Sequence, residues 1–245
     1  MTTHAIVVGG SSGLGAAIGE ALRARGVVVS NLSRRAAASN AADASFPCDV
    51  TRDADVQRAV SECAQRHGPC DVVVYASGAP AMGRTLDVPT EAARACFEVN
   101  VWGFDRVVRA TLPGMVQRGH GAVLLVSSIV ALRAVPHETY YAASKAAAAR
   151  YAGCLAHEAR KAGVHVKSLH VGLVETGFFQ RGGWWGMQVP NAKGSGVTPQ
   201  DVAHEALALL DSGDDERIVG WKEKVIALGD RIAPTLYDRL LRLRG

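Results

Sequence analysis

Tyr141 and Lys145 stand four residues apart in Tyr141-Ala142-Ala143-Ser144-Lys145. On a helix that spacing puts a phenol and an ammonium on one face, within reach of each other. A phenol with a pKa near 10 is a poor proton mediator at neutral pH, and a neighbouring positive charge favours the phenolate and lowers that pKa. Ser128 lies thirteen residues before Tyr141, at the end of a β-rich run, and offers a hydroxyl for the same substrate oxygen. Such a trio is suited to moving a proton on and off a carbonyl or alcohol oxygen. A Tyr–Lys pair at this spacing also occurs as surface decoration, so the elements around it must decide.

A second chemical signal opens the chain. Gly9-Gly10-Ser11-Ser12-Gly13-Leu14-Gly15 falls between the apolar run Ala5–Val8 and a stretch in which Leu14, Ile18 and Leu22 recur every fourth residue. A strand, a glycine turn and a helix N-terminus present backbone N–H groups and the helix dipole to an anion. Gly9 lets the chain turn, Gly13 lets the backbone approach a pyrophosphate, and Gly15 allows close helix–strand packing. The turn could be no more than a tight turn, but its place between strand and helix favours a dinucleotide. The second strand ends in Ser33-Arg34-Arg35, with no carboxylate. An acid there would bond the ribose 2′-hydroxyl of NAD, whereas Arg34 offers a charge-assisted contact to the 2′-phosphate of NADP. The bland alternative is that both arginines solvate a strand end. The cofactor expected is NADP(H).

These groups need a scaffold, and strands alternate with helices throughout. Strands are expected at Ala5–Val8, Val27–Leu32, Ala44–Cys48, Asp71–Tyr75, Ala122–Ser127, Val164–Val171 and Arg217–Trp221. Most are continuous apolar runs, as in parallel strands covered on both faces. Helices are expected from Thr51, from Thr90 through Val108 with Pro113 kinking or ending it, and from Glu138 to Ala162. Another starts at the cap Thr198-Pro199. The pattern predicts an α/β fold, a doubly wound seven-stranded parallel sheet with helices on both faces. Residues 1–221 read as one catalytic domain, and 222–245 as an amphipathic helical tail packed on it.

The totals exclude other classes. With 245 residues, 48% hydrophobic and 20% charged, the chain can bury a full core. No apolar run approaches the roughly 18 residues of a membrane span, and the first residues lack a basic leader region. A cytoplasmic location is expected. Cys48, Cys63, Cys70, Cys96 and Cys154 are scattered without a CxxC, so buried reduced thiols are expected rather than disulfides or a metal site. Most of the net charge of +4 lies in residues 222–245, leaving no basic stripe for nucleic acid.

Together these residues resemble the short-chain dehydrogenase/reductase family, from about Thr3 to Trp221, and more closely its NADP-preferring ketoreductases. The family's glycine motif matches Gly9, Ser11, Ser12, Gly13, Leu14 and Gly15. Its adenine-contacting acid matches Asp49, next to Val50, and its active-site asparagine matches Asn100. Its serine, tyrosine and lysine match Ser128, Tyr141 and Lys145. Its segment after the sixth strand matches Val171-Gly172-Leu173-Val174-Glu175-Thr176, where the counterpart of Thr176 contacts the nicotinamide end. Two segments depart. The family's Thr-Gly opening is Val8-Gly9 here, and its Asn-Asn-Ala-Gly is Tyr75-Ala76-Ser77-Gly78. The resemblance implies cofactor contacts at Ser33, Arg34, Ser77, Gly78, Gly172 and Val174 as well. It implies that Ser128 and Tyr141 bind a carbonyl oxygen and that Tyr141 donates the proton. It also implies that Lys145 holds the ribose and lowers the Tyr141 pKa, and that Asn100 anchors a water. A homodimer or homotetramer, paired through the helices near Thr90–Arg118 and Glu138–Ala162, is implied too.

Between Gly177 and Val197 lie Phe178, Phe179, Trp184, Trp185 and Met187, which suggest an apolar or cyclic ketone or aldehyde, unless they pack against tail or subunit. His137 and Glu138 read as an exposed helix start more readily than as a second acid/base pair, and His170 as structural. In the tail, Val225, Leu228 and Ile232 form one stripe and Leu236, Leu240 and Leu243 another. They are expected to dock on the substrate loop, ahead of an oligomer contact, with membrane binding the least favoured. The rival to an enzyme is a catalytically silent NADP(H)-binding sensor or scaffold.

Overall fold

The computed structural model describes residues 3–34, 42–174, 176–178, 183–186, 196–232 and 235. Arg35, Glu175, Phe179, Met187 and the second tail stripe, Leu236, Leu240 and Leu243, lie outside the described residues.

The apolar runs become β1 (His4–Val8), β2 (Val28–Ser33), β3 (Ala44–Pro47), β4 (Val72–Tyr75), β6 (Gly121–Ser128), β7 (Val164–Val171) and β9 (Glu216–Ile218). They form one parallel sheet in the order β3-β2-β1-β4-β6-β7-β9. All seven expected strands are therefore present, in a doubly wound arrangement. Period-two alternation sorts the side chains: Ile6 and Val8 enter one apolar cluster with Val73, Tyr75 and Phe104, while Ala5 and Val7 enter another with Ile18, Val74 and Leu124. Helices α1 (Gly13–Ala24) and α6 (Pro199–Asp211) cover the second cluster. Helices α2 (Asp53–His67), α4 (Gly103–Arg118) and α5 (Thr139–Arg160) cover the first.

Local chemistry sets the helix ends. Thr198 accepts from the Asp201 N–H at 3.1 Å, and the Asp201 carboxylate accepts from the Thr198 N–H at 2.8 Å, a reciprocal cap at the predicted start of α6. Helix α2 begins at Asp53 rather than Thr51, because Asp49 draws the Thr51 N–H (3.0 Å) and hydroxyl (2.8 Å) into a turn. Nor does α4 end at Pro113, which the helix passes to reach Arg118. The ring is exposed on the outer face of the helix, away from the core. The single long helix expected from Thr90 is instead α3 (Thr90–Phe97) joined to α4 by a π turn, Glu98–Trp102.

Buried Ala148, Ala152, Ala156 and Ala159 give α5 a slim inner face, which lets its first turn sit close over the sheet. The C-terminal ends of β1 and β4, where the chain reverses its winding direction, form the crevice in which such sheets bind ligands. A third apolar cluster roofs the β6 and α5 side of it, from Met82, Ile129, Val130 and Tyr141 to Phe178, Trp184 and Trp185. A two-stranded ladder, β5 (Met82–Gly83) with β8 (Trp184–Trp185), ties this roof together. Helix α7 (Trp221–Ile232) follows β9. Four cysteines are buried as expected, whereas Cys154 is exposed. No described helix is long and apolar enough to cross a membrane.

Candidate functional site

The glycine turn after β1 works as its spacing requires. Gly9 has φ +87°, and a Cβ on it would stand 2.8 Å from the Ser77 nitrogen. Gly13, with φ +59°, opens α1. A Cβ on Gly15 would lie 2.4 Å from the Gly9 carbonyl oxygen, so only glycine lets the helix rest on the turn. The first turn of α1 carries no acidic side chain, which leaves its positive end to a ligand anion.

A cavity of about 840 Å³ starts at this turn. Gly9, Ser11, Ser12, Gly13 and Leu14 line its floor, Ser33 and Arg34 one edge, and Asp49 and Val50 the side across from them. It continues past Ser77, Gly78, Gly172, Val174 and Thr176 to Ser128, Tyr141 and Lys145. Every sequence-predicted site residue borders this one space except Gly15, which packs beneath the turn, and Asn100. Partial burial works against ionising Asp49, yet hydrogen bonds from Thr51 and the charges of Arg34 and Arg52 hold its carboxyl below the usual range. A glycine floor without side chains, a helix N-terminus and a cationic edge fit a dinucleotide phosphate.

Tyr141 sits in the first turn of α5, beside Ser128 at the end of β6. Contrary to the sequence expectation, its hydroxyl is not shifted toward phenolate. Burial pushes its pKa well above the ordinary phenol value, the Glu138 and Cys96 charges add to this, and the hydrogen bond with Ser128 only partly offsets them. Lys145 stands beside the ring. Its Nζ donates to the Val126 carbonyl at 3.1 Å and lies 5.9 Å from the Tyr141 ring centroid. Burial lowers the Lys145 pKa to about 8. The site therefore presents a neutral phenol next to an ammonium, the form needed by a proton donor.

Asn100 lies in the π turn, where one extra residue in the turn rotates its side chain inward. Its Oδ1 accepts from the Ala79 N–H at 2.8 Å, and its Nδ2 donates to the Ala79 carbonyl at 3.0 Å and to Ser144 Oγ at 2.9 Å. The side chain is 1% exposed and clamps the cavity wall after β4. Tyr75, one of the departures from the family pattern, explains part of this. Its buried hydroxyl donates to the Val99 carbonyl at 2.5 Å, so a polar link survives in a new place and supports the turn. Ser144 and Tyr75 were not read as site residues from sequence; only the inward spacing of Ser144 from Tyr141 hinted at the first.

At the far end Phe178 packs 5.9 Å from the Tyr141 ring and lines the cavity. Trp184 and Trp185 do not line it. Strand pairing with Met82 and Gly83 holds them in the roof. Glu138 is a second correction: His137 is exposed, but Glu138 turns inward to border the cavity with Arg133, Val130 and Val135. Helix α7 also contributes, through Glu223 and Ile226. The expected tail stripe faces the other way, with Val225 60% and Leu228 57% exposed, while Ala227 joins the cluster of Phe178 and the tryptophans.

Burial raises the Glu138 pKa to about 7, against a smaller opposing pull from Arg133. An unfolded glutamate ionises near pH 4.5 while the folded one keeps its proton, so this group's contribution is intact below pH 4.5 and is lost as pH rises through 7. Glu138→Gln removes that loss. Denaturant titrations of both proteins should show the variant gaining on the order of 1–2 kcal/mol relative to wild type between pH 4.5 and 8. A constant difference across that range would contradict a half-buried carboxyl.

A sequence model of the family described as short chain dehydrogenase matches residues 3–183. A dehydrogenase/reductase SDR family member 7B from Danio rerio is 31% identical over 81% of this chain and 67% of its own length. A protein from Mycobacterium tuberculosis named an uncharacterized NAD-dependent oxidoreductase is 35% identical over 52% of this chain and 47% of its own. A short chain dehydrogenase from Burkholderia cenocepacia, solved in complex with NADP, superposes with a TM-score of 0.84 at 29% identity, covering 98% of this chain and 97% of that one.

Proposed function

This chain belongs to the short-chain dehydrogenase family, and from that premise we propose that it transfers hydride between NADP(H) and a carbonyl or alcohol, reducing a ketone or aldehyde with an apolar body. The observation that carries this reading is that Ser128, Tyr141 and Lys145 border the same cavity as the glycine turn and Arg34.

Gly9 to Leu14 would hold the pyrophosphate, Ser33 and Arg34 the 2′-phosphate, and Asp49 and Val50 the adenine. Ser77, Gly78, Gly172, Val174 and Thr176 line the way to the nicotinamide. The bound dinucleotide supplies the hydride. Ser128 and Tyr141 then hold the substrate oxygen, and as negative charge develops there the Tyr141 O–H gives up its proton. Lys145, largely protonated at neutral pH, stabilises the phenolate left behind. Asn100 acts by holding the Ala79 segment and Ser144 in place. Val130, Val135, Phe178 and Ile226 offer the substrate an apolar surface.

The NADP of the Burkholderia relative agrees with Arg34, and the NAD of the mycobacterial relative's name makes the preference worth measuring. With a ketone found by screening, kcat/KM should favour NADPH over NADH by about 10- to 100-fold, the worth of one charge-assisted pair. Ser33→Asp with Arg34→Ala should reverse the order. Equal use of NADH by wild type would remove Arg34 from this role.

The same premise supports a homo-oligomer paired through α4 and α5. Trp102 and Val116 expose apolar surface around α4, and a Cβ built on Gly153 of α5 would face open space among the described residues.

A further inference from the structure

The reaction as derived uses no group beyond Tyr141, yet the cavity continues there with charged walls. Glu138 immediately precedes α5 and lies three residues before Tyr141, so both side chains share the helix's entrance face. The turn that aims it is costly: His137 has φ +67°, the one non-glycine residue with positive φ among the described residues. Surrounding bonds hold that turn. The His137 carbonyl accepts from the Gly83 N–H at 2.7 Å, and Thr85 and Thr139 share a hydroxyl bond of 2.8 Å across it. Pro136 and His137 stay in solvent while Glu138 alone enters the cavity.

A carboxyl does not leave water without compensation. Arg133 is the cation facing it, but Arg133 also answers Asp230 and Glu223 from α7. Glu223 is itself fixed in a notch made by Gly172 and Gly220, where any Cβ would stand 2.6 and 2.2 Å from its carboxylate oxygens. One guanidinium thus faces three carboxyls drawn from two elements. Above pH 7, where Glu138 is ionised, a substrate carboxylate entering this end would add a fourth negative group, whereas a hydroxyl or ammonium would find an acceptor.

We propose, building on the reductase reading, that Glu138 is a specificity-determining residue of this site. The enzyme takes carbonyl compounds that carry a hydrogen-bond donor beyond the reacting carbon, and rejects those that carry a carboxylate there. Val130, Phe178 and Ile226 contact the apolar stem between the two ends.

The test is a series of methyl ketones of equal chain length ending in a hydroxyl, an ammonium, a neutral methyl ester or a carboxylate, followed by NADPH consumption at a pH of about 8, where Glu138 is ionised. Wild type should show kcat/KM at least about tenfold higher for the hydroxyl and ammonium ketones than for the carboxylate. Glu138→Gln should narrow that ratio to about threefold or less, and Glu138→Asp, which keeps the charge, should restore at least half of it on a logarithmic scale. Carboxylate turnover equal to or better than that of the donors, or an unchanged ratio in Glu138→Gln, overturns this inference and leaves the reductase reading standing. No NADPH consumption with any of the four, nor with any ketone or aldehyde in a wider screen, overturns both.

Discussion

Tyr141→Phe should lower kcat by about 10²- to 10⁴-fold, the range contributed by a positioned proton donor. The ring still fills its place against Phe178 and in the roof cluster, so folding and NADPH affinity should stay close to wild type. The loss arises because burial keeps the Tyr141 hydroxyl protonated, and Ser128 alone has no comparably acidic proton to give. Stopped-flow measurement with saturating NADPH separates the two effects, since a chemical defect appears in the single-turnover rate and a binding defect in its concentration dependence. A variant that retains a tenth of the wild-type single-turnover rate would take the proton away from Tyr141 and favour a silent NADP(H)-binding role.

Gly15→Ala should cost about 1–3 kcal/mol of stability and weaken NADPH binding at least about tenfold. Two effects compete. Alanine is the better helix former by about 1 kcal/mol, and Gly15 lies inside α1, so propensity alone predicts stabilisation. Against this, the new Cβ would stand 2.4 Å from the Gly9 oxygen and 2.8 Å from its carbonyl carbon. These are backbone atoms of the turn that must cradle the phosphates, and they cannot swing away as a side-chain tip could. Overpacking wins, and the helix shifts off the turn. Denaturant titration with and without NADPH reads both consequences. A more stable variant with unchanged affinity would mean that α1 does not rest on the turn.

Both outcomes turn on groups that residue order already brings together. The Tyr141–Lys145 face, the glycine turn and the missing carboxylate after β2 are short-range signals. Their spacing within one turn of chain dictates which groups share a face, whatever the rest of the fold does. The seven strands were legible for a similar reason, since runs such as Ala5–Val8 are apolar on both faces only in a covered parallel sheet. Departures at helix ends occurred where local hydrogen bonding or solvent exposure competed with the helix pattern. Asp49 took the Thr51 N–H from the helix start, and α4 ran past Pro113, whose ring faces solvent.

Tertiary structure alone decided the electrostatics and the substrate end. Sequence displays a lysine near Tyr141 and so suggests a lowered pKa, but desolvation depends on what surrounds the phenol in space, and here it prevails. Trp184 and Trp185 look like substrate readers until Met82 and Gly83, about a hundred residues earlier, bind them into a ladder. Glu138 looks exposed beside His137 until a positive φ at that histidine turns it inward. Glu223 reaches the cavity only because Gly172 and Gly220 leave room for its carboxylate. The proposed catalytic groups were set by local spacing. What surrounds the substrate was set by packing between segments far apart in the chain, for which neither periodicity nor motif carries a signal.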